Sequence, residues 1–446
     1  MSELSDVELW RIAKESSRNL SKLLKAIGHS KRVEILGSLA QTDREYSWLL
    51  RQLRISKTAL ANHLNILVEN NLIERLERGT YHISADGINI LKAITVSYAN
   101  SLSRLENQRK QLLEKYARRG VSRERRMKEI KKLRWQPRWV THLGCVEGCL
   151  KHLKKKISTG WLYGGTGHAF VINIAKDLCP SGPTAWRTMM LYELAPNLGY
   201  KVDGVFAQKA NPEFPKMQVK AWNHAKESID KEIPCYGWEL DAPEYYTIHG
   251  YDDVGYYYSG PGIDEGTGPK PWKDVGTSEI GILEIYSVHP TDTEDPVKAI
   301  KEAFEKSLYH ASNPEDLIFP NYRSGLQGFD WWIEAIENGI AGLMGHAYNT
   351  AVWSECRKYA VEFLKEARKH VDGEVKKLLD DARDSYEIVS KSLEKVHKDY
   401  PFSVPLPHTP IGIDERTSVT VEVLKSAREA EAKGLDTLKQ IVDILS

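Results

Sequence analysis

The sequence predicts a multidomain α+β protein, on three observations. At 446 residues the chain is too long for one small module and implies two or three domains. Its charge is divided. Residues 1–138 carry 28 Lys and Arg against 15 Asp and Glu, about +13, while the whole chain stands at +1, which leaves about −12 for the rest. Near Trp139 the texture also changes, from short helical runs to an aromatic, Gly- and Pro-rich alternation of strand and helix signals. A basic N-terminal third on an acidic remainder fits a nucleic-acid module attached to something that is not one. No apolar run reaches membrane-spanning length, and no basic-then-apolar leader opens the chain. Five cysteines, odd in number and irregular in spacing, fit a reducing compartment better than a disulfide framework. A cytoplasmic protein with no membrane partner is the expectation.

Four segments follow: 1–88, 89–138, 139–320 and 321–446. In the first, Val7 to Ile27 reads as a helix, Gly28-His29-Ser30 breaks it, and a second helix carries Val33, Ile35, Leu36 and Leu39. Tyr46 to Asn71 then reads as two short helices joined by a tight turn. Leu49, Leu50 and Leu53 share one face of the first. Ser56 stands where an N-cap belongs, with Ile55 and Leu60 spaced as a hydrophobic staple. Leu60, Leu64 and Leu67 form the buried stripe of the second helix. Its other face offers Lys57, Thr58, Ala61, Asn62 and Asn65, with no acid before Glu69. Such a face suits a DNA major groove, and it also suits an ordinary solvated helix in a three-helix core. Next, Arg75 to Arg78 and Thr80 to Ser84 alternate around Gly79 as a basic hairpin. Helix, turn, helix and basic hairpin is the order of a winged helix-turn-helix.

Residues 20–91 closely resemble the ArsR family of winged-helix repressors, in LLKAIGHSKRVEIL and then LLRQLRISKTALANHLNILVENNLIERLERGTYHIS. The resemblance implies a transcriptional regulator that binds double-stranded DNA as a homodimer. Lys57, Thr58, Asn62 and Asn65 would lie nearest the bases, Arg75 and Arg78 near phosphate or the minor groove, and Lys31 and Arg32 on the backbone. Metal-sensing members carry cysteines in the first helix of the helix-turn-helix, or a carboxylate and His set in the last helix. Here EYSWLLRQL has no Cys, and all five cysteines lie beyond residue 144, so no metal and no cofactor is expected.

From Asp86-Gly87 to about Arg119 a helix is expected, with Leu91, Tyr98, Leu105 and Leu112 recurring every seven residues. Ser101, Gln108 and Lys115 interrupt its seam, so it reads as a dimer helix or as an intramolecular strut. Residues 109–138 hold thirteen Lys and Arg against three Glu, a solvated linker or a phosphate contact. Trp135-Gln136-Pro137 closes it.

Beyond Trp139, THLGCVEGCLKHLKKKI reads as a helix with Cys145 at its start, where free N–H groups favour a thiolate. WLYGGTGHAFVINI reads as a Gly-rich loop feeding a strand. Further strands are expected in EIPCYGWELDAPEYYTIHGYDDVGYYYSGPGIDEG, with an Asp-Asp turn, and in EIGILEIYSVHP. Residues 139–290 resemble the cysteine-peptidase-like (papain-like) fold, nearest the acyltransferases similar to butirosin biosynthesis protein H. The resemblance rests on CVEGCL, WLYGGTGHAF and HGYDDVGYYYSG. It implies Cys145 as nucleophile, but Glu244 stands where the peptidases keep their general-base His, and Trp139 where they keep an oxyanion-hole Gln. His168 and His249 are candidate replacements; each of the three also reads as a structural core residue. A non-catalytic cleft lined by Trp161, Tyr163, Trp238, Glu244, Tyr246 and Asp252 would suit an unidentified small molecule, amine-bearing or sugar-like. The competing expectation is a cysteine-dependent acyltransferase or amidase using Cys145. Helices at Tyr322 to Val371, Glu374 to His397 and Val419 to Leu445 complete the chain.

Overall fold

The computed structural model describes residues 6–53, 55–96, 127–403 and 410–446. It divides the chain into two compact units, Met1–Glu124 and Arg125–Ser446.

The first unit contains α1 (Asp6–Glu15), α2 (Ser17–Ile27), α3 (Ser30–Leu39), α4 (Tyr46–Leu53), α5 (Lys57–Glu69) and α6 (residues 85–96). Its strands are β1 (Arg44–Glu45), β2 (Ile73–Arg75) and β3 (Thr80–Ile83). The expected N-terminal helix is two helices, parted at Ser16. Ile35, Leu36 and Leu39 of α3, Leu49 and Leu53 of α4, and Leu60, Leu64 and Leu67 of α5 close one core. Val33, expected among them, faces solvent. The strands pair antiparallel in the order β1-β3-β2, with Arg75 opposite Tyr81. The hairpin starts at Ile73 rather than Arg75, because Leu72 and Ile73 are both drawn into the core. Residues 77–79 make its tip, where Gly79 takes φ +76°, a conformation that a Cβ disfavours. The heptad positions Tyr98, Leu105 and Leu112, and most of the basic run, lie outside the described residues.

The second unit is built on an antiparallel sheet. Its strands are β4 (Lys128–Glu129), β6 (Tyr200–Gln208), β7 (Cys235–Trp238), β8 (Tyr245–Tyr251), β9 (Gly255–Gly260), β10 (Ile263–Pro271) and β11 (Ile282–Pro290). They run in the order β10-β9-β8-β7-β11-β6, with β4 also on β8; β5 (Asn173–Ala175) and β12 (Tyr322–Ser324) pair separately. Its helices are α7 (Thr141–His152), α8 (Thr159–Gly165), α9 (Met189–Glu193), α10 (Phe214–Asp230), α11 (Pro296–Ala311), α12 (Gly325–Glu337), α13 (Leu343–Ala367), α14 (Gly373–Asp399) and α15 (Glu415–Leu445). Alternation along the strands sends neighbouring residues to opposite faces. Tyr236 meets His142 of α7 at 3.0 Å, whereas Ser287 meets His224 of α10 at 3.0 Å, so these two helices flank the sheet.

Three sequence expectations shift here. The linker expected to residue 138 is already sheet at Lys128–Glu129, and Ile130, Leu133 and Trp135 are buried in the second core. Gly164 and Gly165 belong to a helix, not a loop. A Cβ on Gly164 would meet the Phe363 ring at 1.9 Å, so the glycine permits α8 to press on α13. One continuous core runs from Ile130 to Ile441, across the division expected at residue 320.

Candidate nucleic-acid interface and second-unit cleft

The start of α5 is held by two side chains. Ser56 Oγ accepts from the Ala59 N–H at 3.1 Å, and Tyr46 of α4 donates its hydroxyl to the Lys57 carbonyl at 2.8 Å. With Leu60, Leu64 and Leu67 turned inward, Lys57, Thr58, Asn62 and Asn65 are exposed on the opposite face. The surface is rigidly seated, cationic at its N-terminal end and rich in amide donors and acceptors. That chemistry matches base edges and phosphate.

Arg75 is exposed on β2, next to the tip; the Arg78 side chain lies outside the described residues. Asp43 braces the wing from below, its carboxylate 2.6 Å from His82 Nδ1. The backbone-contact residues are partly spent within the unit. Lys31 pairs with Glu34 at 2.8 Å, and Arg32 donates to the Lys25 carbonyl at 2.9 Å, capping the end of α2. Between α3 and α5 the rings of His29 and His63 lie 4.4 Å apart, a pairing with no signal in the sequence. Burial, then the neighbouring His29 and Arg32, holds the His63 pKa down.

In the second unit the candidate catalytic residues occupy three different surroundings. Cys145 is in the second turn of α7, not at its start, and is fully buried with Thr247 beside it; burial pushes its thiol well up. His168 Nδ1 lies 3.6 Å from the Cys356 thiol. His249 is buried on β8, against Gly266 and near the backbone of Tyr258. Burial lowers both histidines to about 4, so they are neutral near pH 7. The N–H groups just ahead of the helix are turned to another acceptor. Glu355 of α13 accepts from the N–H groups of Trp139 and Val140, at 2.8 and 3.2 Å, and from the Tyr163 hydroxyl at 2.5 Å. As placed, Cys145 is a small core residue.

The expected cleft residues divide similarly. Tyr163 is spent on Glu355, and Trp161 packs on Phe363 and His370. Trp238 is buried against Tyr245, and the Tyr246 hydroxyl accepts from the Ala242 N–H at 3.0 Å. Asp252 shapes the β8–β9 turn, accepting from the N–H groups of Val254 and Gly255 and from the Tyr257 hydroxyl. Of the six, Glu244 lines a small cavity. That space is about 20 Å³, room for a water, and is bounded by Trp139, Thr141, His142, His168, Tyr245 and Tyr348 as well. Glu244 accepts from Thr141 Oγ1 at 2.6 Å and from the Tyr348 hydroxyl, and burial raises its pKa. Trp139 and Glu244, which the resemblance set at the oxyanion-hole and general-base places, both line it; Tyr348 and His142 were not expected there, and Tyr348 reaches Glu244 from 104 residues away in the chain.

A three-helix core whose α5 offers an open, acid-poor face, followed by a three-stranded wing, is a winged helix-turn-helix, a class of DNA-binding module. Residues 29–75, from the cap of α3 to the end of β2, match the family model described as bacterial regulatory protein, arsR family. The N-terminal unit thus carries an ArsR-family helix-turn-helix, the DNA-binding part of a transcriptional regulator. No curated protein matches the chain. Among the described residues, no helix is long and apolar enough to cross a membrane.

Proposed function

We propose that the protein is a homodimeric transcriptional regulator whose second unit is a non-catalytic, peptidase-like sensor of a small molecule. The observation that carries the DNA-binding half is the joint exposure of Lys57, Thr58, Asn62 and Asn65 on a capped helix within the matched segment. In this reading α5 enters the major groove, Arg75 follows phosphate or the minor groove, and Lys31 is the freer of the two backbone contacts. A two-fold dimer reads an inverted repeat with half-sites about 10 bp apart or a multiple of it. Support for the second copy comes from apolar side chains left in solvent on α1, α2 and α6: Trp10, Leu20, Leu24, Ile94 and Val96.

Support for the sensor half is the antiparallel sheet with α7 against it, the hairpin shaped by Asp252, and the small cavity at Glu244. A ligand would act through different affinities for two arrangements of the DNA-binding helices. Sequencing genomic fragments retained by the full-length protein is the test. Enrichment of an inverted repeat, lost in an Asn62→Ala, Asn65→Ala double variant, is the expected result. Retention no better than random duplex at moderate salt overturns the reading.

A further inference from the structure

The two edges of the second unit's sheet differ. β10 closes one side, with two register shifts against β9 and with Pro269 and Pro271 in the strand. Such devices keep an edge from recruiting another strand. β6 closes the other side with no shift and no proline. It runs nine residues against β11, from Tyr200 opposite Pro290 to Gln208 opposite Ile282. The pairing fixes which of its backbone groups are free. Just beyond the two ends, the Gly199 carbonyl accepts from the Thr291 N–H at 2.9 Å, and the Lys209 N–H donates to the Gly281 carbonyl at 2.8 Å. Odd-numbered residues therefore turn their N–H and C=O groups toward β11, and even-numbered residues turn theirs outward. Among the described residues, no strand and no backbone partner meets the outward groups of Val202, Gly204 and Phe206. Side chains of these residues share one face, on which Phe206 is 50% exposed.

Nine residues a side is less than the about 20–30 a side of a stable interface, so this edge suits a body already held alongside by another contact. The strand is also complementary to itself. Turned antiparallel about a two-fold axis at Gly204, it sets Val202 against the partner's Phe206, and Phe206 against the partner's Val202. Gly204 brings no side chain to the axis. Lys201 then meets the partner's Ala207 and Asp203 the partner's Val205, so no like charges are directly opposed. An axis one residue earlier would set Asp203 against its own copy.

We propose that β6 pairs antiparallel with β6 of a second copy about Gly204, joining two sheets into one within the homodimer. This rests on the dimer reading above and adds a contact to it. Val202, Gly204 and Phe206 exchange both backbone hydrogen bonds with their counterparts, and the Phe206 ring leaves solvent for the partner's Val202.

Hydrogen exchange in peptides covering residues 200–208, read by mass spectrometry, is compared among full-length wild type, Phe206→Pro and Leu24→Glu, each checked by sedimentation and melting. Proline at 206 removes an outward N–H and no bond to β11. In wild type nearly all amides of β6 are expected to exchange slowly. In Phe206→Pro, still two chains, and in Leu24→Glu, a single chain, about half of them exchange fast. A wild type of two chains in which half of the amides are already fast overturns the junction and leaves the dimer reading in place. Full protection kept in single-chain Leu24→Glu also overturns the junction, since the outward groups then have partners within the chain. A wild type that sediments as a single chain overturns both.

Discussion

Arg357 of α13 and Glu431 of α15 meet through two bonds, Nη2 to Oε1 at 2.7 Å and Nε to Oε2 at 2.8 Å, both side chains wholly withdrawn from water. The remaining guanidinium hydrogens go to the Ala169, Phe170 and Val171 carbonyls, beyond the end of α8. One side chain therefore ties three parts of the second unit. Removing either partner strands the other charge in a dry core. Arg357→Met or Glu431→Leu should each destabilise the unit by about 3–5 kcal/mol. The midpoint of urea unfolding, followed by near-UV circular dichroism, reads the loss.

Base-facing and phosphate-facing residues should separate in binding measurements. Asn65→Ala should cost about 1–3 kcal/mol on the preferred duplex and little on random duplex. Lys57→Ala should weaken both alike and reduce the salt slope by about 1. Ser56→Ala leaves an N–H of the first turn uncapped and should cost about 1 kcal/mol of stability. Fluorescence anisotropy on both duplexes across a salt series distinguishes the three.

Much of the first unit was legible because its determinants are local. Leu60, Leu64 and Leu67 sit at helical spacing, and Ser56 caps within three residues. The two-residue strand β1 was not legible, since its only signature is pairing with β3. The second unit shows the opposite balance. Strand alternation from Tyr245 to Gly260 was readable, but the cavity's full lining was not, because Tyr348 and His142 join Trp139 and Glu244 only in the fold. Cys145 was misplaced by one turn for a similar reason. The helix begins at Thr141, whose hydroxyl is fixed by Glu244, and Glu355 occupies the amide groups before it.

Thiol chemistry should follow burial rather than motif. Cys145, Cys149, Cys235 and Cys356 are buried, whereas Cys179 is partly open. Iodoacetamide on the native protein should label Cys179 first and leave Cys145 unmodified until the unit unfolds. Peptide mass mapping reads the order. Cys145→Ala should keep duplex affinity; fast acylation of Cys145 in the native state would revive the enzyme reading.

Acid stability has a defined sign. Burial holds His142, His310 and His346 at about 3 and His168 and His249 at about 4, all below the unfolded value of about 6.5. As pH falls through that window the unfolded chain takes protons that the folded chain refuses, so stability is lost. Buried carboxyls oppose this. Glu284 is raised to about 7, and Glu244 and Glu355 are raised as well, so at these groups the folded chain takes protons first until about pH 4.5. Five histidines outweigh three carboxyls, so the melting temperature of the second unit should fall below about pH 6.5, more gently down to about pH 4.5 and steeply from there toward pH 3.

The proposed dimer can be tested where the apolar side chains stand in water. Trp10 is 64% exposed on α1, and Leu24 is 65% exposed on α2, one turn before the buried Ile27. Neither supports the core of its own unit, so a charge there costs the monomer little; in a two-fold interface it is desolvated against its own copy and repelled. Leu24→Glu should leave the melting curve of the first unit nearly unchanged while shifting the sedimentation coefficient to that of a single chain. Duplex affinity should fall with it, because two half-sites held by one body are bound far more tightly than either alone. A Leu24→Glu protein that still sediments as two chains would place the interface elsewhere, on surfaces that leave these side chains in solvent.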